Sequence, residues 1–86
     1  MKIIVKYTSH DCNLAGQQTY ETTLDIEKNA ARRLLSAKTP YTFLERKQKV
    51  REANVLAFLI YDMENLQGRC FASGDQILSI QKGEQD

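Results

Sequence analysis

The sequence predicts an α+β domain: a small antiparallel sheet of three to four strands with two helices packed on one face, in the order β-β-α-α-β. Three observations predict it. Two strand-like segments, "KIIVKYTS" and "QQTYETTLDI", stand near the start. Two segments with helical spacing of apolar residues follow, over about residues 26–38 and 42–67. A third strand pattern, "QILSIQKG", closes the chain. Strands grouped apart from helices belong to α+β architecture, since α/β folds alternate them.

The first strand covers about Lys2 to Thr8, where β-branched and apolar residues are dense. "SHDCNLAG" is rich in turn formers and reads as a loop, with Gly16 able to take positive φ. In the next segment Tyr20, Thr22, Leu24 and Ile26 fall on one face, with Glu21 and Asp25 on the other. That alternation marks a half-buried strand, antiparallel to the first. Asp25 stands where it can cap a helix running to about Lys38. At about 100° per residue, Ile26, Ala30, Ala31, Leu34, Leu35 and Ala37 form its packing face, with Arg32 opposite and Arg33 at the rim. Pro40 disfavours helical geometry at Thr39 and ends it.

"TFLE" fits a capping box for a second helix opening at Thr42, and Gly68 is a natural stop. Phe43, Val50, Ala57 and Tyr61 make one seam along that helix, but from Ala53 to Met63 apolar residues occur on every side. A buried strand at "VLAFLIY" competes with this reading, because periodicity does not separate the two. The flanking "REAN" and "DMENLQ" favour helix. "RCFAS", a turn at "SGD" and "QILSIQKG" read as one or two closing strands, and residues 84–86 as a frayed tail.

The 86 residues read as one domain, residues 1–86, without internal repeat or linker. A 42% hydrophobic and 27% charged composition describes a soluble globular chain and argues against disorder. The longest apolar run, Val55 to Tyr61, is far short of a membrane span, and the N-terminal one breaks at Lys6, too early for a signal peptide. Cys12 and Cys70 are too few for a secreted disulfide scaffold. Free thiols in a cytoplasmic protein are the expectation, a single bridge the alternative.

Catalytic machinery is not expected. His10, Asp11 and Cys12 are neighbours in a loop, whereas a Cys–His pair needs side chains that meet and a third group to orient the base. A zinc site would draw on His10, Cys12, Cys70 and a carboxylate, without any paired ligand spacing. Gly68, Gly74 and Gly83 are isolated and cradle no phosphate. Asp62 and Glu64 do not share a helix face. No metal or cofactor is expected, and a thiol-dependent enzyme ranks behind two binding readings.

Charge carries the functional signal. The net charge of +1 hides a middle segment, residues 28–51, with eight Lys and Arg against Glu45 alone. Arg46, Lys47, Lys49 and Arg51 would surround the second helix, with Arg32 and Arg33 as outer members of the same positive surface. Cations early in a helix and acids late, here Asp62 and Glu64, oppose its dipole by about 0.3–1 kcal/mol per exposed charge. Helix stability alone would select the reverse, so a partner is expected.

The leading expectation is a non-catalytic, regulatory or inhibitory interaction module. These six residues would meet an acidic protein surface or a nucleoprotein complex by electrostatic steering and charge-assisted hydrogen bonds. The alternative is a DNA- or RNA-binding regulator neutralising phosphates with the same residues. It lacks a helix-turn-helix turn, and Tyr41 and Phe43 are too few for a stacking platform. An antiparallel homodimer along Phe43, Val50, Ala57 and Tyr61, basic half against acidic half, is a further expectation. In size, charge pattern and lack of a catalytic motif the chain is similar to compact inhibitors encoded by phages and mobile elements. No motif carries that likeness.

Overall fold

Alternation along the first strand organises the fold. In the computed structural model, which describes residues 1–11, 16–42 and 50–83, β1 (Lys2–Asp11) turns Ile3, Val5, Tyr7 and Ser9 inward. Its other face carries Lys2 and Lys6 in solvent. β2 (Gln17–Asp25) follows, then α1 (Lys28–Leu35), β3 (Tyr41–Thr42), α2 (Arg51–Leu66), β4 (Arg69–Cys70) and β5 (Gln76–Lys82). β2 runs antiparallel to β1 from Lys2↔Asp25 to His10↔Gln17. β5 takes the other side of β1, with an irregularity at Lys6/Tyr7. The sheet order is β2-β1-β5-β3, and β4 pairs with the far end of β1 at His10↔Cys70 and Asp11↔Arg69.

One core joins the layers. Ile3, Val5 and Tyr7 of β1 meet Ala31 and Leu34 of α1, Ala53, Leu56, Ala57 and Ile60 of α2, and Ile77 of β5. The α+β class therefore holds, with both helices against the inward face of β1. The short strands β3 and β4 bring the sheet to five and the order to β-β-α-β-α-β-β. β4 falls within the expected "RCFAS" strand, whereas the two-residue β3 arises from tertiary pairing that no local pattern announces.

Both helix starts differ from expectation. Asp25 belongs to β2 and accepts a hydrogen bond from the Met1 ammonium at 3.1 Å. Glu27 caps α1 instead, its carboxylate accepting from the Ala30 N–H at 3.0 Å. α1 stops at Leu35, short of Lys38, because Ser36 and Ala37 turn back to the carbonyls of Arg33 and Leu34.

Thr42 pairs with Gln76 in β3, and the rest of the expected capping box, from Phe43 to Glu45, lies outside the described residues. Val50 is extended, at φ −90° and ψ 110°, and α2 starts at Arg51. "VLAFLIY" lies wholly within α2, which settles helix over strand. Gly68, at φ 77°, supplies the expected stop.

Cys70 is disulfide-bonded, which overturns the expectation of free thiols there. β4 holds Cys70 opposite His10, two residues before the other cysteine, Cys12, which lies outside the described residues. Among the described residues no helix is long and apolar enough to cross a membrane.

Candidate functional site

α2 carries more apolar side chain than the core takes. Ala53, Leu56, Ala57 and Ile60 are buried, yet Val55 is 60% exposed, Phe58 61%, Leu59 40%, Tyr61 39% and Leu66 88%. At about 100° per residue, Val55, Phe58, Leu59 and Leu66 share one side of the helix, opposite Ile60. Arg51 and Asp62 stand on that same side, before and after the central apolar residues. A groove of about 140 Å³ continues the apolar surface toward α1, lined by Ile26, Ala30, Leu34, Glu52, Val55, Leu56 and Leu59. Exposed apolar side chains gathered in one place mark contact surfaces more often than scattered ones do.

The expected cations divide into two groups. Arg32 and Arg33 are exposed on α1, and Arg51 is exposed at the first residue of α2. Arg46, Lys47 and Lys49 lie outside the described residues. Arg33 donates from Nε to Glu52 at 3.0 Å, so it is locally neutralised and sits beside the first turn of α2. An exposed pair of this kind contributes about 0.2–1 kcal/mol.

The expected dimer seam does not form one surface. Ala57 is buried and Val50 packs against the core, because both turn toward the sheet. Tyr61 is exposed, and Phe43 lies outside the described residues.

The acids late in α2 have different explanations. Asp62 is exposed, but Glu64 is buried and bound within the chain. Arg69, just past the Gly68 turn, donates to both its carboxylate oxygens, from Nε to Oε2 at 2.5 Å and from a terminal nitrogen to Oε1 at 3.0 Å. The Tyr7 hydroxyl donates to Oε1 as well. Arg69 also lies 4.2 Å from the centroid of the Tyr20 ring.

Burial pushes the Glu64 carboxyl up, but the hydrogen bonds from Arg69, Tyr7 and Ser9 outweigh it and hold the group below the usual carboxylate range. Burial, then the bond to Glu64, pushes Tyr7 up to about 12. This cluster locks the end of α2 to β1 and β4. Its dipole mismatch therefore needs no outside partner at Glu64.

A second buried carboxylate, Asp75, bridges the break between β4 and β5. Its Oδ1 accepts from Thr8 Oγ1 at 3.2 Å and Gln17 Nε2 at 2.8 Å. Its Oδ2 accepts from the Ala72 N–H at 3.0 Å and meets His10 Nδ1 at 2.9 Å. Thr8 Oγ1 in turn accepts from the Gln76 N–H at 2.8 Å. The His–Asp contact orients an imidazole, as an acid–base pair would, but here His10 and Thr8 each bond to Asp75 and tie adjacent strands together. His10 stands in β1, not in the expected loop. Among the described residues no group of His, Cys, Asp and Glu is placed to hold a metal ion.

Sequence reasoning overlooked the outer side of α2, although its signal was the apolar residues on every side from Ala53 to Met63. No protein-family model, curated protein or solved structure matches the chain.

Proposed function

We propose that the protein is a small non-catalytic interaction module, regulatory or inhibitory in action, that works by docking rather than by chemistry. The observation that carries this reading is the outer face of α2, where Val55, Phe58, Leu59 and Leu66 are all exposed. Leaving large apolar groups in water forgoes about 1.5–3 kcal/mol per side chain that burial would return. A binding surface is the physical circumstance in which that surface becomes covered. The exposed guanidinium of Arg51 stands on the same side of α2, and with Arg32 exposed on α1 it favours an acidic protein partner, with Arg46, Lys47 and Lys49 adding charge in the adjoining sequence. A cytoplasmic setting was expected partly from free thiols; the disulfide at Cys70 removes that support.

The test is affinity capture from the native host with wild type, a Val55→Glu/Leu59→Ser variant and an Arg32→Glu/Arg51→Glu variant. The proteins retained are identified by mass spectrometry and re-bound as purified species. A protein held by wild type and lost with either variant is the expected result. Retention unchanged by both variants would contradict the reading. A nucleic-acid shift at low salt, abolished by Lys47→Ala/Lys49→Ala, would move the function to the DNA- or RNA-binding alternative.

A further inference from the structure

From Arg51 to Asp62 the outer face of α2 has an order of groups that reads the same after reversal with charge exchanged. Arg51 stands at one end, Val55, Phe58 and Leu59 in the middle, and Asp62 at the other end. Arg51 and Asp62 are about three helical turns apart, so both project from the same side as the apolar residues between them. Laid antiparallel on a second copy, this face pairs each Arg51 with the other copy's Asp62 and closes apolar side chains between the two ion pairs.

We infer that the occupant of this face is a second copy of the chain, in an isologous dimer with α2 antiparallel to α2 across a two-fold axis. The inference rests on the interaction-module reading and names the occupant of its apolar surface on α2, leaving the Arg32 side of α1 as a second surface for an acidic partner. In the register that matches Arg51 with Asp62, the axis passes near Leu56 and Ala57. Residues on one flank of a helix then meet the same flank of its mate. Val55 therefore lies against Leu59 of the second copy, and Phe58 against Phe58.

Asp62 gains a cation that its own copy does not supply among the described ion pairs. It is also a late acid in the helix, the dipole mismatch that Arg69 relieves only at Glu64. The charge pairs fix direction: a parallel arrangement would set Arg51 against Arg51 and Asp62 against Asp62. Arg32, on α1, stays outside this contact and available for an acidic partner.

Sedimentation equilibrium from micromolar to millimolar protein tests the inference with the full chain. Wild type is expected to reach twice its monomer mass. Val55→Glu, which keeps a good helix former, should raise the dissociation constant by at least about 30-fold. Arg51→Glu and Asp62→Lys alone should each raise it about tenfold, and the two together should restore it to near the wild-type value.

A wild-type monomer throughout the range overturns the dimer. So does a dimer indifferent to Val55→Glu, or a double exchange that fails to recover. If wild type is monomeric yet Val55→Glu abolishes binding of a purified host protein, the face serves a different partner: the dimer falls and the interaction module stands. If the monomer also binds nothing through either surface, both fall.

Discussion

The two sides of α2 have nearly the same chemistry and opposite surroundings. Ala53, Leu56, Ala57 and Ile60 are closed against the sheet, while Val55, Phe58, Leu59 and Leu66 reach into solvent one or two residues away. Hydrophobicity alone therefore does not say which side the core takes. What decides is how much inward surface is on offer: β1 supplies Ile3, Val5 and Tyr7, α1 supplies Ala31 and Leu34, and these cover one side of one helix. The surplus is what a partner can use. The inner side also carries a late acid, Glu64, made tolerable by Arg69 and Tyr7, whereas the late acid of the outer side, Asp62, is exposed.

The inner side should be the costlier one to disturb. Arg69→Ala leaves Glu64 buried without its cation and is expected to remove about 3–5 kcal/mol of stability, read by urea unfolding. Ile60→Ala should cost about 2–5 kcal/mol through lost transfer energy and the cavity left behind. If either is silent, the inner cluster is not what anchors α2.

The same cluster predicts how stability depends on pH. Glu64 is lowered from its ordinary value of 4.5 in the fold, so its contribution is whole above that value and is lost as pH falls through the lowered one. Tyr7 runs the other way: raised from 10.0 to about 12, it contributes fully below pH 10.0 and loses that contribution as pH climbs. Unfolding measured across pH should show both limbs, with Glu64→Gln reducing the acid one, to which Glu27 also contributes, and Tyr7→Phe reducing the alkaline one, to which buried Tyr41 also contributes. Limbs unchanged in those variants would assign the titrations elsewhere.

Smaller effects belong to the exposed groups. Arg33→Ala is expected to cost about 0.2–1 kcal/mol, since its bond to Glu52 is in solvent and screened by salt. Leu66→Ser, at 88% exposure, should shift unfolding by no more than about 0.5 kcal/mol. A large loss at Leu66 would erase the contrast between the two sides.

The parts legible in the sequence are those governed by local pattern. Dense β-branched and apolar residues located β1, and period-two alternation located β2 and its inward set Tyr20, Thr22 and Leu24. Gly68 marked the end of α2, because only a positive-φ residue fits there at no cost. The helix starts misled: α2 opens at Arg51 after an extended Val50, and Thr42 pairs with Gln76, 34 positions further along the chain and beyond the reach of a four-residue motif.

The disulfide at Cys70 and the Asp75 bridge to Thr8, His10 and Gln17 depend on strand register, which brings distant positions together. Glu64 and Arg69 are only five apart, yet their bond needs the turn at Gly68 and a buried Tyr7. Charge order suggested a partner for both late acids; tertiary structure supplies one for Glu64 and leaves Asp62 exposed.

The most direct measurement is the unfolding free energy of Val55→Glu beside Ile60→Ala, by urea titration of dilute protein. If the outer side of α2 exists to be covered by another molecule, Val55→Glu stays within about 0.5 kcal/mol of wild type while Ile60→Ala loses several times that. Equal losses at the two positions would mean the chain covers both sides itself, and the surface proposed for docking would not exist.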